Sequence, residues 1–282
     1  MLHKHVRALA DVSLASLLSL VLASPALAQG YLGSNLTPFA VLAGTTVTCA
    51  GASTITGNVG VSPGSAITGF PAPCTDVGTL VVPPASNSAQ AALTTAYTTL
   101  AGLPCAATVG PNLTGLTLTQ GVYCVGAAAS NLTGTLVLDA QGNANAVFVF
   151  EMSSTLITSP GSTVSLINGA NACSVEWQVT STATIDVGTT FVGNILALTS
   201  IGLNSGASLA GRALARNGAV TLNANNVSFA ACGAGATSGA PPPFPPLGVP
   251  TLPQFGELAL LVALLGSGVY FASRRTRATS GQ

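Results

Sequence analysis

The chain has 282 residues with seven basic and seven acidic side chains, so only 5% of it is charged and its formal net charge is zero. No run of Lys or Arg lies in the middle of the chain, which excludes a nucleic-acid partner held by phosphate neutralisation. Hydrophobic residues reach 48% while aromatics are 5%, so any interior must be built mostly from small and aliphatic side chains.

The N-terminus reads His3-Lys4-His5-Val6-Arg7, then an apolar run from Leu14 to Leu22, then Ala26-Leu27-Ala28 before Gln29. These are the basic, apolar and small-residue parts of a secretory signal peptide, with cleavage expected after Ala28 and residues 1–28 removed. Asp11 interrupts the pattern, but the apolar run is too short for a retained membrane helix. Export is therefore expected.

Residues 29–232 form the expected folded domain, long enough for one sizeable core. Its charged side chains are Asp76, Asp139, Glu151, Glu176, Asp186, Arg212 and Arg216, with no histidine and no lysine. Ser-His-Asp and Cys-His machinery and His-containing metal sites are thereby excluded, and no cofactor or metal is expected. A β-helix enzyme working with two carboxylates stays open only through the five scattered acids, Glu176 and Asp186 being the residues to change.

Short strands punctuated by glycine recur through the domain. Val59-Gly60-Val61-Ser62-Pro63-Gly64-Ser65-Ala66-Ile67 is the first copy, and clearer ones surround Gly161, Gly188 and Gly206, with looser ones at Gly121 and Gly142. From Gly121 onward the corners lie roughly 20 residues apart, the coil length of a β-helix with about three short faces. An insertion is expected near Gly169 to Cys173. The fold class is mainly β.

Between Gly64 and Gly121 the spacing breaks. Ala89, Ala92, Leu93, Ala96, Tyr97 and Leu100 fall at i, i+3, i+4 and i+7, which predicts one amphipathic helix over about 86–101. Ser and Asn ahead of it are capping candidates, and Pro104 stands behind. Its apolar stripe is expected to lie along the solenoid.

Alternation assigns the faces of the later strands. Ala183, Ile185 and Val187 are expected inward, with Thr182, Thr184 and Asp186 outward. Ile201 and Leu203 go in, with Ser200, Gly202 and Asn204 out; Val220 and Leu222 go in, with Thr221 and Asn223 out. A second face presents Thr163, Ser165, Thr190, Asn194 and Ser208. The registers near Gly142 and Gly161 are open by one residue, so either Leu156 or Ile157 could face inward. Short side chains on rigid strands form a flat, weakly charged array that suits a repetitive solid; the plainer alternative is that they merely cover a solenoid.

Six cysteines in an exported domain point to three disulfides. Six allow 15 pairings, of which nearest neighbours are expected: Cys49 with Cys74, Cys105 with Cys124, and Cys173 with Cys232. The sequons at Asn35, Asn112, Asn131 and Asn226 are attributed to abundant Asn and Thr.

Residues 233–248 are rich in Gly, Ala and Pro and read as a semi-rigid linker. Residues 249–282 combine Val249-Pro250-Thr251-Leu252-Pro253, an apolar helix over about 257–272, and the cluster Arg274, Arg275 and Arg277. A permanent membrane anchor with its positive charges on the cytoplasmic side would look like this. The arrangement also resembles the IPTL-type C-terminal sorting signals of Gram-negative bacteria, with Val249 in place of the usual Ile. That resemblance implies transient anchoring in the inner membrane, an exosortase-like processing partner, and release to the cell surface or medium.

Phe39 to Thr48, Ile55 to Gly64, Phe191-Val192-Gly193-Asn194-Ile195-Leu196-Ala197, Gly211 to Ala215 and Gly218 to Leu222 together resemble the microbial β-solenoid ice-binding protein family. The similarity runs from about Leu32 to Val227. It implies a discontinuous three-faced β-helix of the right-handed type, one long α-helix packed alongside, and adsorption of ice by one flat face without a cofactor. The family's ice-binding residues follow no strict motif, so none is carried over by position. The candidate face is drawn from the alternation instead: Thr163, Thr182, Thr184, Thr190, Asn194, Ser200, Asn204, Ser208, Thr221 and Asn223. A cell-surface adhesin or polysaccharide-binding module is the alternative.

Overall fold

The computed structural model describes residues 31–126 and 129–229, and within them the chain winds into a three-walled solenoid of parallel strands. One wall is a seven-stranded sheet. Its strands, in spatial order, are Ser130–Leu132, Leu156–Thr158, Ala183–Ile185, Ile201–Leu203, Val220–Asn223, Thr46–Ala50 and Ala66–Thr68. A second wall runs through Thr135–Asp139 and Thr163–Ile167, then the first halves of Thr190–Ala197 and Ser208–Ala215, and on to Asn226–Ser228, Thr54–Thr56 and Thr75–Asp76.

The third wall joins Gly121–Val125, Phe148–Met152 and Val175–Val179 to the second halves of those two long strands, then to Phe39–Ala43 and Asn58–Val61. Both long strands turn the corner between walls at a glycine. Gly193 has φ 110°, and a Cβ there would stand 2.7 Å from Trp177 Nε1 and 2.8 Å from the Val175 carbonyl oxygen. Only glycine fits such a position.

The coils do not stack in chain order. Thr46–Ala50 pairs with Val220–Asn223 on one side and Ala66–Thr68 on the other, so the N-terminal coils continue the solenoid beyond its C-terminal coil. The chain then returns to the far end through a helix, α2, at Asn87–Leu100. Its 14 residues cover about 21 Å at 1.5 Å per residue, much of the length of a seven-strand stack.

The helix buries Ala89, Leu93, Ala96, Tyr97 and Leu100 against Leu42, Val122, Val149, Leu196 and Leu214 of the third wall. That is the expected stripe, with Ala92 only partly buried. The expected side-chain cap is not made. The Ser86 hydroxyl instead donates to the Val61 carbonyl at 2.6 Å, and Asn87 Oδ1 accepts from Ser62 at 2.8 Å, fastening the helix start to the preceding strand. A one-turn helix, α1, at Gly33–Leu36 packs into the same cluster through Leu36.

Inside the solenoid Tyr123, Phe150 and Trp177 occupy one register position on adjacent strands. Their rings stack at 5.6 and 4.1 Å, and Phe191 closes the series 4.9 Å from Trp177. Each such pair adds about 1 kcal/mol beyond its buried area. The Trp177 indole donates to the Val192 carbonyl at 2.8 Å, which satisfies its one polar atom.

Alternation correctly places Ala183, Ile185, Ile201, Leu203, Val220 and Leu222 inside. Val187 is a correction: the strand ends at Ile185, and Val187 sits on the following corner, 48% exposed. Gly121 does mark a corner: it follows the second-wall strand Thr117–Thr119 and opens the third-wall strand Gly121–Val125, level with Gly193. The open register resolves with Leu156 buried and Ile157 facing out.

Cys49 is bonded to Cys74 and Cys105 to Cys124, as the nearest-neighbour scheme expects. Cys173 is also disulfide-bonded, but Cys232 lies outside the described residues. So do the leader, the linker and the sorting tail. Among the described residues no helix is long and apolar enough to cross a membrane.

Candidate functional site

The seven-stranded wall carries one unbroken outward row. Asn131, Ile157, Thr184, Gly202, Thr221, Thr48 and Thr68 are register partners, each with the next, across all seven strands. Neighbouring members stand about 4.8 Å apart, the spacing of paired strands. Two residues along each strand, roughly 6.7 Å away, lie flanking positions that include Thr182, Ser200 and Thr46 on one side and Asn204 and Asn223 on the other.

The hydroxyls of Thr48, Thr184 and Thr221 accept or donate no hydrogen bond among the described residues, and the side chains are wholly or partly exposed. They are therefore available to water. Each threonine also offers a methyl group, so the surface alternates weak donors with apolar patches and carries no charge across its middle. Inward neighbours Ala183, Ile201 and Val220 are at most 1% exposed, which fixes the backbone beneath the row.

Among the described residues, the one ionisable side chain beside this wall, Asp186, stands at its edge. Asp186 accepts from its neighbour's amide, Val187, at 2.8 Å and from Asn204 Nδ2 at 2.9 Å, and these bonds hold its carboxyl below the usual carboxylate range. Beneath the same corner Asn225 Nδ2 donates to the carbonyls of Asn204 and Ala207 at 2.8 and 3.0 Å. The buried Thr158 hydroxyl accepts from the Asp186 amide at 2.7 Å. Side chains thus replace the ladder where the backbone turns, and the wall ends in a straight border.

The candidate residues separate into two surfaces. Thr182, Thr184, Ser200, Asn204, Thr221 and Asn223 belong to the seven-stranded wall. Thr163, Thr190 and Ser208 are register partners on the second wall, in a row that continues through Asn226 and Thr54. That wall is less regular, because Thr163–Ile167 pairs with the next strand at a single position before the two diverge.

Asn194 belongs to neither surface. It follows Gly193 round the corner onto the helix-covered wall, where it is fully buried between Glu176 and Arg212 on adjacent strands. Its Nδ2 donates to Glu176 Oε1 at 3.1 Å, and its Oδ1 accepts from Arg212 Nη1 at 3.0 Å. Arg212 also donates to the Thr37 carbonyl at 2.9 Å and lies 4.3 Å from the Phe229 ring centroid. Burial pushes the Glu176 carboxyl up to about 8 and the Arg212 guanidinium down to about 10. Asn194 is a structural bridge within a buried polar cluster, and period-two counting missed it because the strand crosses a corner.

Sequence reasoning also missed Thr46, Thr48 and Thr68. They join the seven-stranded wall only because the N-terminal coils stack against the last coil. The alternation of Thr46-Val47-Thr48 matches that of Thr182-Ala183-Thr184 and could have pointed to them.

The acids do not assemble into a catalytic pair of Glu176 with Asp186. Glu176 is fully buried on the helix-covered wall, whereas Asp186 stands partly exposed at the corner that ends a strand of the seven-stranded wall. Cys105, Cys124 and Glu151 offer ligand atoms within 4.8 Å of one another, but the two sulfurs are spent in a disulfide and cannot serve as thiolates.

Residues 41–228 match the family model described as ice-binding-like. An ice-binding protein of Nostoc sp. (strain HG1) is 48% identical over 194 residues, covering 68% of this chain and 71% of the relative. The crystal structure of an ice-binding protein from an Antarctic biological consortium superposes with a TM-score of 0.67 at 43% identity, over 69% of this chain and 88% of that one. The DUF3494 domain of Shewanella frigidimarina ice-binding protein 1 superposes with a TM-score of 0.64 at 30% identity, over 71% and 97% of the two chains.

Proposed function

The chain belongs to the ice-binding-like family, and from that premise we propose that it adsorbs to ice through its seven-stranded wall. The observation that carries this reading is the row of seven register partners, uncharged from end to end, with Thr48, Thr184 and Thr221 free to order water. A parallel stack holds these groups at fixed spacings in two directions. Water bound along such a row keeps positions close to those of a crystal plane, whereas charged groups would impose hydration shells of their own. Because the side chains are short and the backbone is locked by the core, little conformational entropy is lost when the surface meets a solid.

Adsorption needs no cofactor and no bond making. Bound molecules force the ice front to grow as curved surfaces between them, and the curvature stops growth or recrystallisation. The second wall carries a continuous row too, Thr135, Thr163, Thr190, Ser208, Asn226, Thr54 and Thr75, and the support for choosing the seven-stranded wall over it is regularity: each of its adjacent strand pairs is joined at two or more positions, whereas Thr163–Ile167 meets the next strand at one. Thr163, Thr190 and Ser208 are assigned a structural covering role.

Delivery is part of the same proposal. Residues 1–28 direct export, residues 233–248 space the solenoid from the tail, and residues 249–282 anchor the chain transiently in the inner membrane until an exosortase-like enzyme processes it. The protein then works at the cell surface or in the medium.

Thermal hysteresis and ice-recrystallisation inhibition of the oxidised protein test the reading. Thr184→Arg is expected to abolish both while far-ultraviolet circular dichroism stays unchanged. Activity that survives this change and is lost with Thr190→Arg would move the assignment to the second wall. A well-folded protein without either activity, but retaining glycan or cell binding, would replace ice with surface adhesion.

A further inference from the structure

Gly202 stands in the middle of the outward row of the seven-stranded wall, the register partner of Thr184 on one side and of Thr221 on the other. It is the central residue of the strand Ile201–Leu203. Glycine weakens a strand at such a place, because it has the most backbone freedom to lose and brings no side chain to pack. Nothing in the fold requires it. Its φ lies outside the left-handed region, and a Cβ built on it would meet no atom within 4 Å.

The other glycines inside strands are different. A Cβ at Gly60 would stand 2.5 Å from the Phe39 ring, one at Gly193 2.7 Å from Trp177 Nε1, and one at Gly211 against the Gly193 carbonyl oxygen. At Gly121 it would touch the Tyr123 ring at 3.6 Å. Among the described strand glycines, Gly202 alone faces open space, so its reason lies on the surface and not beneath it.

The neighbours leave the position low. Ser200 and Asn204, two residues away on the same face, are both drawn aside. Ser200 Oγ accepts from the Ala219 amide at 3.1 Å, and Asn204 Nδ2 donates to Asp186 Oδ1 at 2.9 Å. The result is a recess floored by the Gly202 backbone and walled by Thr184 and Thr221, whose hydroxyls make no other hydrogen bond among the described residues.

Spacing decides what such a recess admits. Thr221, Thr48 and Thr68 follow one another on adjacent strands at about 4.8 Å, close to the roughly 4 Å of van der Waals contact, so water can lie only above them. Across Gly202 the flanking threonines are about 9.6 Å apart, which leaves roughly 5 Å between their surfaces for a water of about 1.4 Å radius. A hydroxyl on each side can donate or accept, so a neutral molecule that does both is satisfied whichever way a crystal orients it.

We propose that Gly202 determines how the wall engages ice: by withholding a side chain it lets a water of the ice lattice seat between Thr184 and Thr221, below the tops of the threonine side chains. This deepens the reading of the seven-stranded wall as the ice-binding face and rests on it. Gly202 thus contributes to adsorption through shape, while the threonines supply the hydrogen bonds.

A size series at this position, measured beside Thr184→Arg in the oxidised protein, tests the assignment. Gly202→Thr and Gly202→Val have nearly the same shape and differ by a hydroxyl. Both are expected to lose most of the thermal hysteresis, with Gly202→Ala intermediate, while their melting temperatures rise by about 2 °C as strand glycine is replaced. If Thr184→Arg abolishes hysteresis but Gly202→Thr matches or exceeds the native chain, the recess is overturned and the wall assignment stands. If neither Thr184→Arg nor Gly202→Val reduces hysteresis, the wall assignment falls and the recess with it. A lowered melting temperature for Gly202→Ala would make the glycine a requirement of the fold and overturn the proposal as well.

Discussion

Thr48 and Thr221 stand directly opposite one another on adjacent parallel strands although they come from opposite ends of the domain. Their pairing makes the N-terminal and C-terminal coils one continuous surface. If that surface meets ice, Thr48→Arg should reduce thermal hysteresis about as strongly as Thr221→Arg. Both changes are exposed and should alter stability by no more than about 0.5 kcal/mol. Ser208→Arg on the second wall should leave activity intact, as measured by hysteresis at equal protein concentration.

Gly193 is expected to be the most sensitive small residue of the corner. A Cβ there would meet the Trp177 indole nitrogen and the Val175 carbonyl, both under 3 Å, in a left-handed conformation that side chains avoid. Gly193→Ala should therefore destabilise the fold by about 3 kcal/mol, by strain and by displacing the indole from its bond to Val192. Urea unfolding of the oxidised protein reads this directly.

Removing the Cys49 to Cys74 link should also be costly. The cysteines are 25 residues apart, and opening a loop of that size releases about 3 kcal/mol of unfolded-state entropy. A Cys49→Ala, Cys74→Ala double variant should show this loss in chemical denaturation. The link lies within the strand Thr46–Ala50 that carries Thr46 and Thr48, so hysteresis should weaken at temperatures where the N-terminal coil opens.

The buried Glu176 sets a pH dependence of stability. Its carboxyl titrates near 4.5 when unfolded and is pushed up to about 8 when folded, because burial outweighs Asn194 and Arg212. Below 4.5 both states hold the proton. Between 4.5 and about 8 only the folded state holds it, so stability contributed by this group falls as pH rises through that window and levels off above it. Glu176→Gln should flatten the curve in thermal melts from pH 4 to 9.

Much of the architecture was legible in the sequence because its rules are local. Ala183, Ile185, Val220 and Leu222 show their faces by alternation, and the helix shows its stripe by period. The Cys49–Cys74 and Cys105–Cys124 disulfides followed from neighbouring cysteines. The misplacements share one cause: Asn194 and Val187 sit at corners, where period-two counting stops. Thr48 and Thr68 were missed because strand order in space departs from order in the chain, and no local pattern records which coil stacks on which. Glu176 was named as a charge, but its depth arises from the covering of the third wall, which composition does not reveal.

Direct capture by ice tests the central claim most plainly. A single crystal grown slowly in a dilute solution of fluorescently labelled protein should take up the native chain and exclude Thr184→Arg and Thr221→Arg, while Thr190→Arg is captured as well as the native chain. Equal capture of all four, or exclusion of the native chain from ice under conditions where it is folded, would contradict adsorption through the seven-stranded wall.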